Sequence, residues 1–172
     1  CLASRNAFAE AEPLLLEGEA DLANDRNARE LALEARDRLV RLYEAWGIAA
    51  EAAGTYEEAD AAFAAAHRRV LGDPVAVARL LRRRGLLRER SGNYSVALRW
   101  LTRGMHALGR DSATNAQHAA ADAAERAHLV LAYAGVRYRQ GRYQFCIANC
   151  HAALALPHLS ASDEAHARYL LC

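Results

Sequence analysis

Apolar residues recur at steps of three and four along almost the whole chain. Between residues 28 and 53 this places Leu31, Ala35, Leu39, Leu42, Tyr43, Trp46 and Ala50 on one helical face. Gly54 stops the pattern. Thr55-Tyr56-Glu57-Glu58 then opens a partner helix carrying Ala59, Phe63, Ala66 and Val70, which ends at Gly72-Asp73-Pro74. Thr55 and Glu58 have the spacing of a capping box. The same alternation predicts helices over 75–90 and 93–108 and, after the interruption at 109–115, over 117–140 and 142–156. Pro157 closes the third pair. Ser160 to Asp163 reads as an N-cap box at the head of a further helix, 165–172. Upstream, 2–24 is helical in pattern, with Phe8, Ala11, Leu15 and Leu22 on one side and Pro13 breaking or kinking it. Asn24-Asp25-Arg26-Asn27 is a turn and N-cap region.

The helices pair around a repeated elbow: Gly54-Thr55-Tyr56, Gly92-Asn93-Tyr94 and Gly141-Arg142-Tyr143, with glycines 38 and 49 residues apart. Seven residues before each glycine stands a small residue: Gly47, Gly85, Ala134. Three after each tyrosine comes another (Ala59, Ala97, Cys146), then a packing residue (Phe63, Leu101, Cys150), then a small one again (Ala66, Gly104, Ala153). Small residues let helices approach closely, glycine permits the turn, and the tyrosine and the larger side chain are expected to fill the groove between hairpins.

Over about residues 37–157 this pattern resembles the tetratricopeptide repeat. The resemblance implies an all-α fold, a right-handed superhelix of antiparallel helical hairpins. It also implies the parts: a partial repeat or capping helices at 2–27, repeats at 28–73, 74–108 and 109–157, and the first helix of a further repeat at 160–172. Both intervals exceed the usual period of about 34 residues. Longer helices are expected to absorb the first excess, and the 109–117 loop with a longer first helix the second. Cys150 stands where an aromatic is usual, and Arg84 or Arg88 where apolar residues are common. Solenoids of this kind are non-catalytic modules that dock a peptide or a neighbouring domain on the concave surface lined by first helices, and the resemblance implies the same here.

Composition narrows the chemistry. Apolar residues make up 53 % of the 172, excluding disorder, and the excess of alanine with few prolines and few β-branched runs favours helix. All 22 basic residues are arginine, a codon bias of GC-rich genomes. Without lysine there is no P-loop and no Schiff-base chemistry in this chain. The net charge of +1 argues against nucleic acid and membrane surfaces as partners, and no apolar run approaches a membrane span. A chain that begins at Cys1 without methionine and stops at Cys172 within a helical pattern is expected to be part of a longer, reduced, cytoplasmic protein, its open repeat ends prone to self-association.

Two groups of residues invite a function. Cys146, Cys150 and His151 suggest metal or thiol chemistry, yet His151 lies about 100° around the helix from Cys150. In the repeat register both cysteines hold packing positions, where cysteine behaves as a small hydrophobe. The arginine run is the more unusual feature. In the hairpin register Arg79, Arg82, Arg83, Glu89 and Arg90 face the groove around Leu86. Arg41, Glu44, Ile48 and Glu51 flank it on one side, and His128, Leu131, Tyr138 and Arg139 on the other. Arg41, Arg79, Arg82, Arg83, Leu86, Arg90, Tyr138 and Arg139 are the candidate partner-binding residues, suited to an acidic peptide or domain surface because guanidinium forks bind carboxylates bidentately. The competing reading is a solvated face paired with acids. No cofactor, metal or catalytic residue is expected.

The runs Arg-Leu-Leu-Arg-Arg-Arg-Gly (79–85) and Ala-Gly-Val-Arg-Tyr-Arg-Gln-Gly-Arg-Tyr (134–143) are also similar to repeats at the C-terminal end of bacterial signalling proteins. There, a class III nucleotidyl cyclase or a transcription-factor domain is joined to an ATPase module. That resemblance implies a regulatory role toward an attached domain; a peptide-sensing domain of a transcriptional regulator is the alternative, and a metal- or thiol-dependent enzyme the third reading.

Overall fold

The computed structural model describes residues 13–14, 26–109, 116–156 and 159–172. Among them are seven helices longer than one turn, and no strand: α1 (Arg26–Ala52), α2 (Tyr56–Arg69), α3 (Pro74–Arg90), α4 (Tyr94–Leu108), α5 (Ala116–Arg139), α6 (Tyr143–Leu154) and α7 (Ala161–Leu171). The chain is all-α. Most of the 2–24 pattern, the Asn24-Asp25 turn, residues 110–115 and Pro157 lie outside the described residues.

The chain divides into two compact units, Cys1–Leu71 and Gly72–Cys172. The first contains the hairpin α1–α2. In the second, successive helices pack on one another, and α3, α5 and α7 also lie side by side in that order. This layering is repeat-like: within the second unit each hairpin meets the next through its first helix. The first helix of the third hairpin is longer, 24 residues in α5 against 17 in α3, as the wide glycine spacing predicts.

The three elbows are alike in atomic detail. Gly54, Gly92 and Gly141 have φ of 80°, 74° and 71°, the left-handed region that favours glycine. Each glycine N–H donates to the carbonyl three residues back: Glu51, Glu89 and Tyr138, at 3.1, 2.9 and 2.9 Å. The next N–H donates to the carbonyl five back: Ala50, Arg88 and Arg137, at 3.0, 2.8 and 2.9 Å. This is a Schellman closure, which satisfies the orphan carbonyls of α1, α3 and α5.

The N-caps after the elbows share a backbone as well, with ψ of 70°, 65° and 62° at Thr55, Asn93 and Arg142, and none uses its side chain as a cap. The capping box anticipated at Thr55 and Glu58 therefore does not form. Thr55 Oγ1 donates backward to Ala50 O at 3.1 Å, and the Glu58 carboxylate accepts from Trp46 Nε1 at 3.2 Å. At this elbow the Schellman geometry fixes the N-cap torsions, and the hydroxyl turns to the preceding helix instead. Where no such elbow precedes a helix, side-chain caps appear: Asp73 accepts from Ala76 N at 2.9 Å, and Ser160 from Asp163 N at 3.0 Å.

The small-and-large register forms the packing seam of each hairpin. A Cβ built on Gly47 would lie 2.5 Å from the Phe63 ring, and one on Gly85 would lie 3.0 Å from Leu101. Where the first helix offers Ala134 instead, its neighbours shrink to Cys146 and Cys150, all three fully buried together. Phe63, Leu101 and Cys150 are each 0 % exposed. Gly104 lies between hairpins, where a Cβ would come within 2.8 Å of Leu129 and 3.3 Å of the Ala78 carbonyl.

Two expectations change. Leu31 is exposed, and the buried stripe of α1 begins at Leu39. With 14 residues, α2 can run back along only about half of the 27-residue α1. The tyrosines do not all fill grooves either. Tyr94 packs half-buried against the core made with α5, whereas Tyr143 stands 57 % exposed and Tyr56 39 %. α7 reaches the α5–α6 pair through Ala167, Leu170 and Leu171 and leaves Tyr143 open.

Candidate functional site

The side-by-side packing of α3, α5 and α7 leaves a concave cavity of about 430 Å³ in the second unit. Helical spacing puts Leu86, Glu89 and Arg90 into it from the last turn of α3, and Leu131, Gly135, Tyr138 and Arg139 from α5. α7 adds His166, Tyr169 and Leu170 at the same three- and four-residue steps. The apolar surface comes from Leu86, Leu131, Ala132 and Leu170. One acid faces it: Glu89, 9 % exposed, is held by Arg139 Nε at 2.8 Å. Arg90, Arg139 and His166 leave the lining with a basic bias, and Tyr138 and Tyr169 are 49 % and 77 % exposed.

Of the candidate residues, Leu86, Arg90, Tyr138 and Arg139 come together here, while Arg41, Arg79, Arg82 and Arg83 are not among the lining. Arg41 is exposed on α1 of the first unit; Arg79 and Arg83 are half-buried on α3. Arg82 is held by a buried carboxylate: its Nε and Nη2 donate to the two oxygens of Glu125 at 2.6 and 3.2 Å. His128 Nδ1 lies 3.6 Å from the same carboxylate, and its Nε2 3.4 Å from Asp163 Oδ1. This chain of polar contacts ties α3 to α5 and α5 to α7. Burial works against ionisation of Glu125, but His128 and Arg82 outweigh it and hold the carboxyl below its ordinary range. Arg84 lies over the Trp100 ring, 4.2 Å from its centroid. The arginine run is thus partly internal scaffolding.

His166, Tyr169 and Leu170 are absent from the site expected from sequence, although their spacing on α7 matches a helical face. Cys146 and Cys150 sit in the seam with their sulfurs 4.0 Å apart, both free and buried. Burial, and then the neighbouring Cys146, push the Cys150 thiol up to about 12, far from thiolate chemistry at neutral pH. Among the described residues no group of three or more His, Cys, Asp or Glu is placed to hold a metal.

The architecture defines the class as an all-α, repeat-like array of helical hairpins. No protein-family model and no curated protein matches the chain. Among the described residues no helix is long and apolar enough to cross a membrane.

Proposed function

We propose that the chain is a non-catalytic interaction module, a tetratricopeptide-like right-handed superhelix that docks an acidic peptide or domain surface of a protein partner. The observation that carries this reading is the α3–α5–α7 cavity. Its apolar surface, exposed tyrosines and basic rim fit a segment with an apolar anchor beside carboxylates. Arg90 and Arg139 line the cavity, Arg139 also holding Glu89, whereas Arg82 lies outside the lining and is held by Glu125. The similarity of the 79–85 and 134–143 runs to repeats of bacterial signalling proteins supports a regulatory role, in the cytoplasm, toward an attached domain such as a nucleotidyl cyclase. No cofactor takes part.

Selection of a random peptide display library on the purified chain tests the proposal. Enrichment of sequences pairing an apolar residue with Asp or Glu is the expected result, with binding lost in the Arg90→Glu, Arg139→Glu variant. No enriched motif, or motifs bound equally well by that variant, would remove the cavity as the docking site.

A further inference from the structure

The net charge of +1 hides a division between the two units. Residues 1–71 hold fourteen acids and eight arginines, whereas residues 72–172 hold seven acids and fourteen arginines. The division shows at two of the elbows. Beside Gly54 a pocket is lined by the carboxylates of Glu57 and Glu58; beside Gly141 stand Arg137, Arg139 and Arg142, with Arg139 on Glu89 at 2.8 Å. The two elbows share one backbone geometry, so the same shape is presented with opposite charge.

Each elbow also exposes apolar surface. Beside Gly54, an open pocket of about 730 Å³ is lined by Trp46, Thr55, Tyr56, Glu57 and Glu58. Beside Gly141, Tyr143 and Phe145 are 57 % and 53 % exposed and Ile147 38 %. Tyr138 packs edge-on against Tyr143 at 5.6 Å, and the Arg137 guanidinium lies 5.2 Å from the centre of the Phe145 ring. On one side are carboxylates around a pocket with an aromatic wall, on the other arginines around protruding aromatic rings.

We infer that the acidic elbow at Gly54 of one copy receives the basic, aromatic elbow at Gly141 of a second copy. The occupant is a second copy because this chain carries both complementary surfaces, each exposed and each built on the same turn. The contact joins two different patches, so it propagates head to tail until a ring closes or the chain of copies ends. It adjoins the α3–α5–α7 cavity through Tyr138 and Arg139, but Glu57 and Arg142, the residues that probe it, do not line that cavity, so each idea is tested by its own variants.

Sedimentation velocity on the full 172-residue chain tests it, with the exposed pair Glu57 and Arg142 as probes. Arg142 caps α6 through its backbone alone, so Arg142→Glu leaves the elbow intact; circular dichroism checks that each variant keeps its helices. At about 0.05 M salt the average mass should rise with concentration, returning to that of the monomer near about 0.5 M. Glu57→Arg or Arg142→Glu alone should raise the association midpoint by about tenfold or more. Mixing the two variants should restore assembly, since Glu57 of one copy then meets Arg142 of the other. A monomer at every concentration in low salt overturns the inference. So does association indifferent to salt, or a mixture that assembles no better than its components.

Discussion

The first hairpin, α1–α2, and the third, α5–α6, turn through the same elbow but fill the space behind it differently. In the first, a glycine at position 47 admits a phenylalanine ring so closely that no Cβ would fit. In the third, Ala134 faces two cysteines, and the seam is just as fully buried. Each seam is closed by a different pairing: a glycine faces the largest ring, and an alanine faces smaller side chains. The polar groups differ as well. The first hairpin's Glu58 accepts from the neutral Trp46 indole, whereas the third hairpin's Glu125 sits in a chain of arginine, histidine and aspartate.

The sharpest way to break this comparison is to exchange the fillings. Phe63→Ala should cost about 3–5 kcal/mol in urea unfolding, and Gly47→Ala about 1–3 kcal/mol through overpacking. Gly47→Ala with Phe63→Cys, which installs the third hairpin's pair in the first, should cost less than the two single changes summed. Strict additivity would mean that the two residues do not share one volume.

Next in size is the buried charge. Glu125→Ala strands the largely buried Arg82 and should cost about 3 kcal/mol. The folded Glu125 carboxyl titrates below the ordinary value of 4.5, so its contribution is complete above that pH and is lost as the pH falls through the folded value. Melting temperatures between about pH 2 and 5 should therefore fall less steeply in Glu125→Gln than in the parent chain. An unchanged acid limb would place the charge dependence elsewhere.

The smallest effects test what the hairpins share. Gly54→Ala, Gly92→Ala and Gly141→Ala should each cost about 1–2 kcal/mol, and the same at all three elbows, because the left-handed backbone and the open space around it are the same. Ser160→Ala should cost about 1 kcal/mol by removing a side-chain cap, and Thr55→Ala clearly less, since Thr55 makes no such bond. Chemical unfolding resolves the difference, and equal losses at Thr55 and Ser160 would contradict the observed caps.

The elbows and seams are legible in the sequence because both are local. A glycine seven residues after a small residue and two before a tyrosine states a turn and its packing within one hairpin. The partners of the arginines are not legible. Arg82 finds Glu125 across 43 residues, and Arg139 finds Glu89 across 50, through helix packing that spacing along one helix does not reveal. Projection onto first helices brings Leu86, Arg90, Tyr138 and Arg139 to one cavity but places Arg82 beside them, because a helical wheel gives direction and says nothing of a carboxylate on the neighbouring helix. The opposite charges of the two units are visible residue by residue and vanish in the total.

The chain has two tryptophans, one in each unit. Trp46 donates its indole hydrogen to Glu58, and Trp100 lies with Arg84 and Arg103 at 4.2 and 4.9 Å from its ring. A carboxylate at one indole and two guanidiniums at the other give the two fluorophores different electric fields, and so distinguishable emission. Replacing either one with phenylalanine leaves a single optical reporter. The melting of the acidic and the basic half of the molecule can then be followed separately in one cuvette.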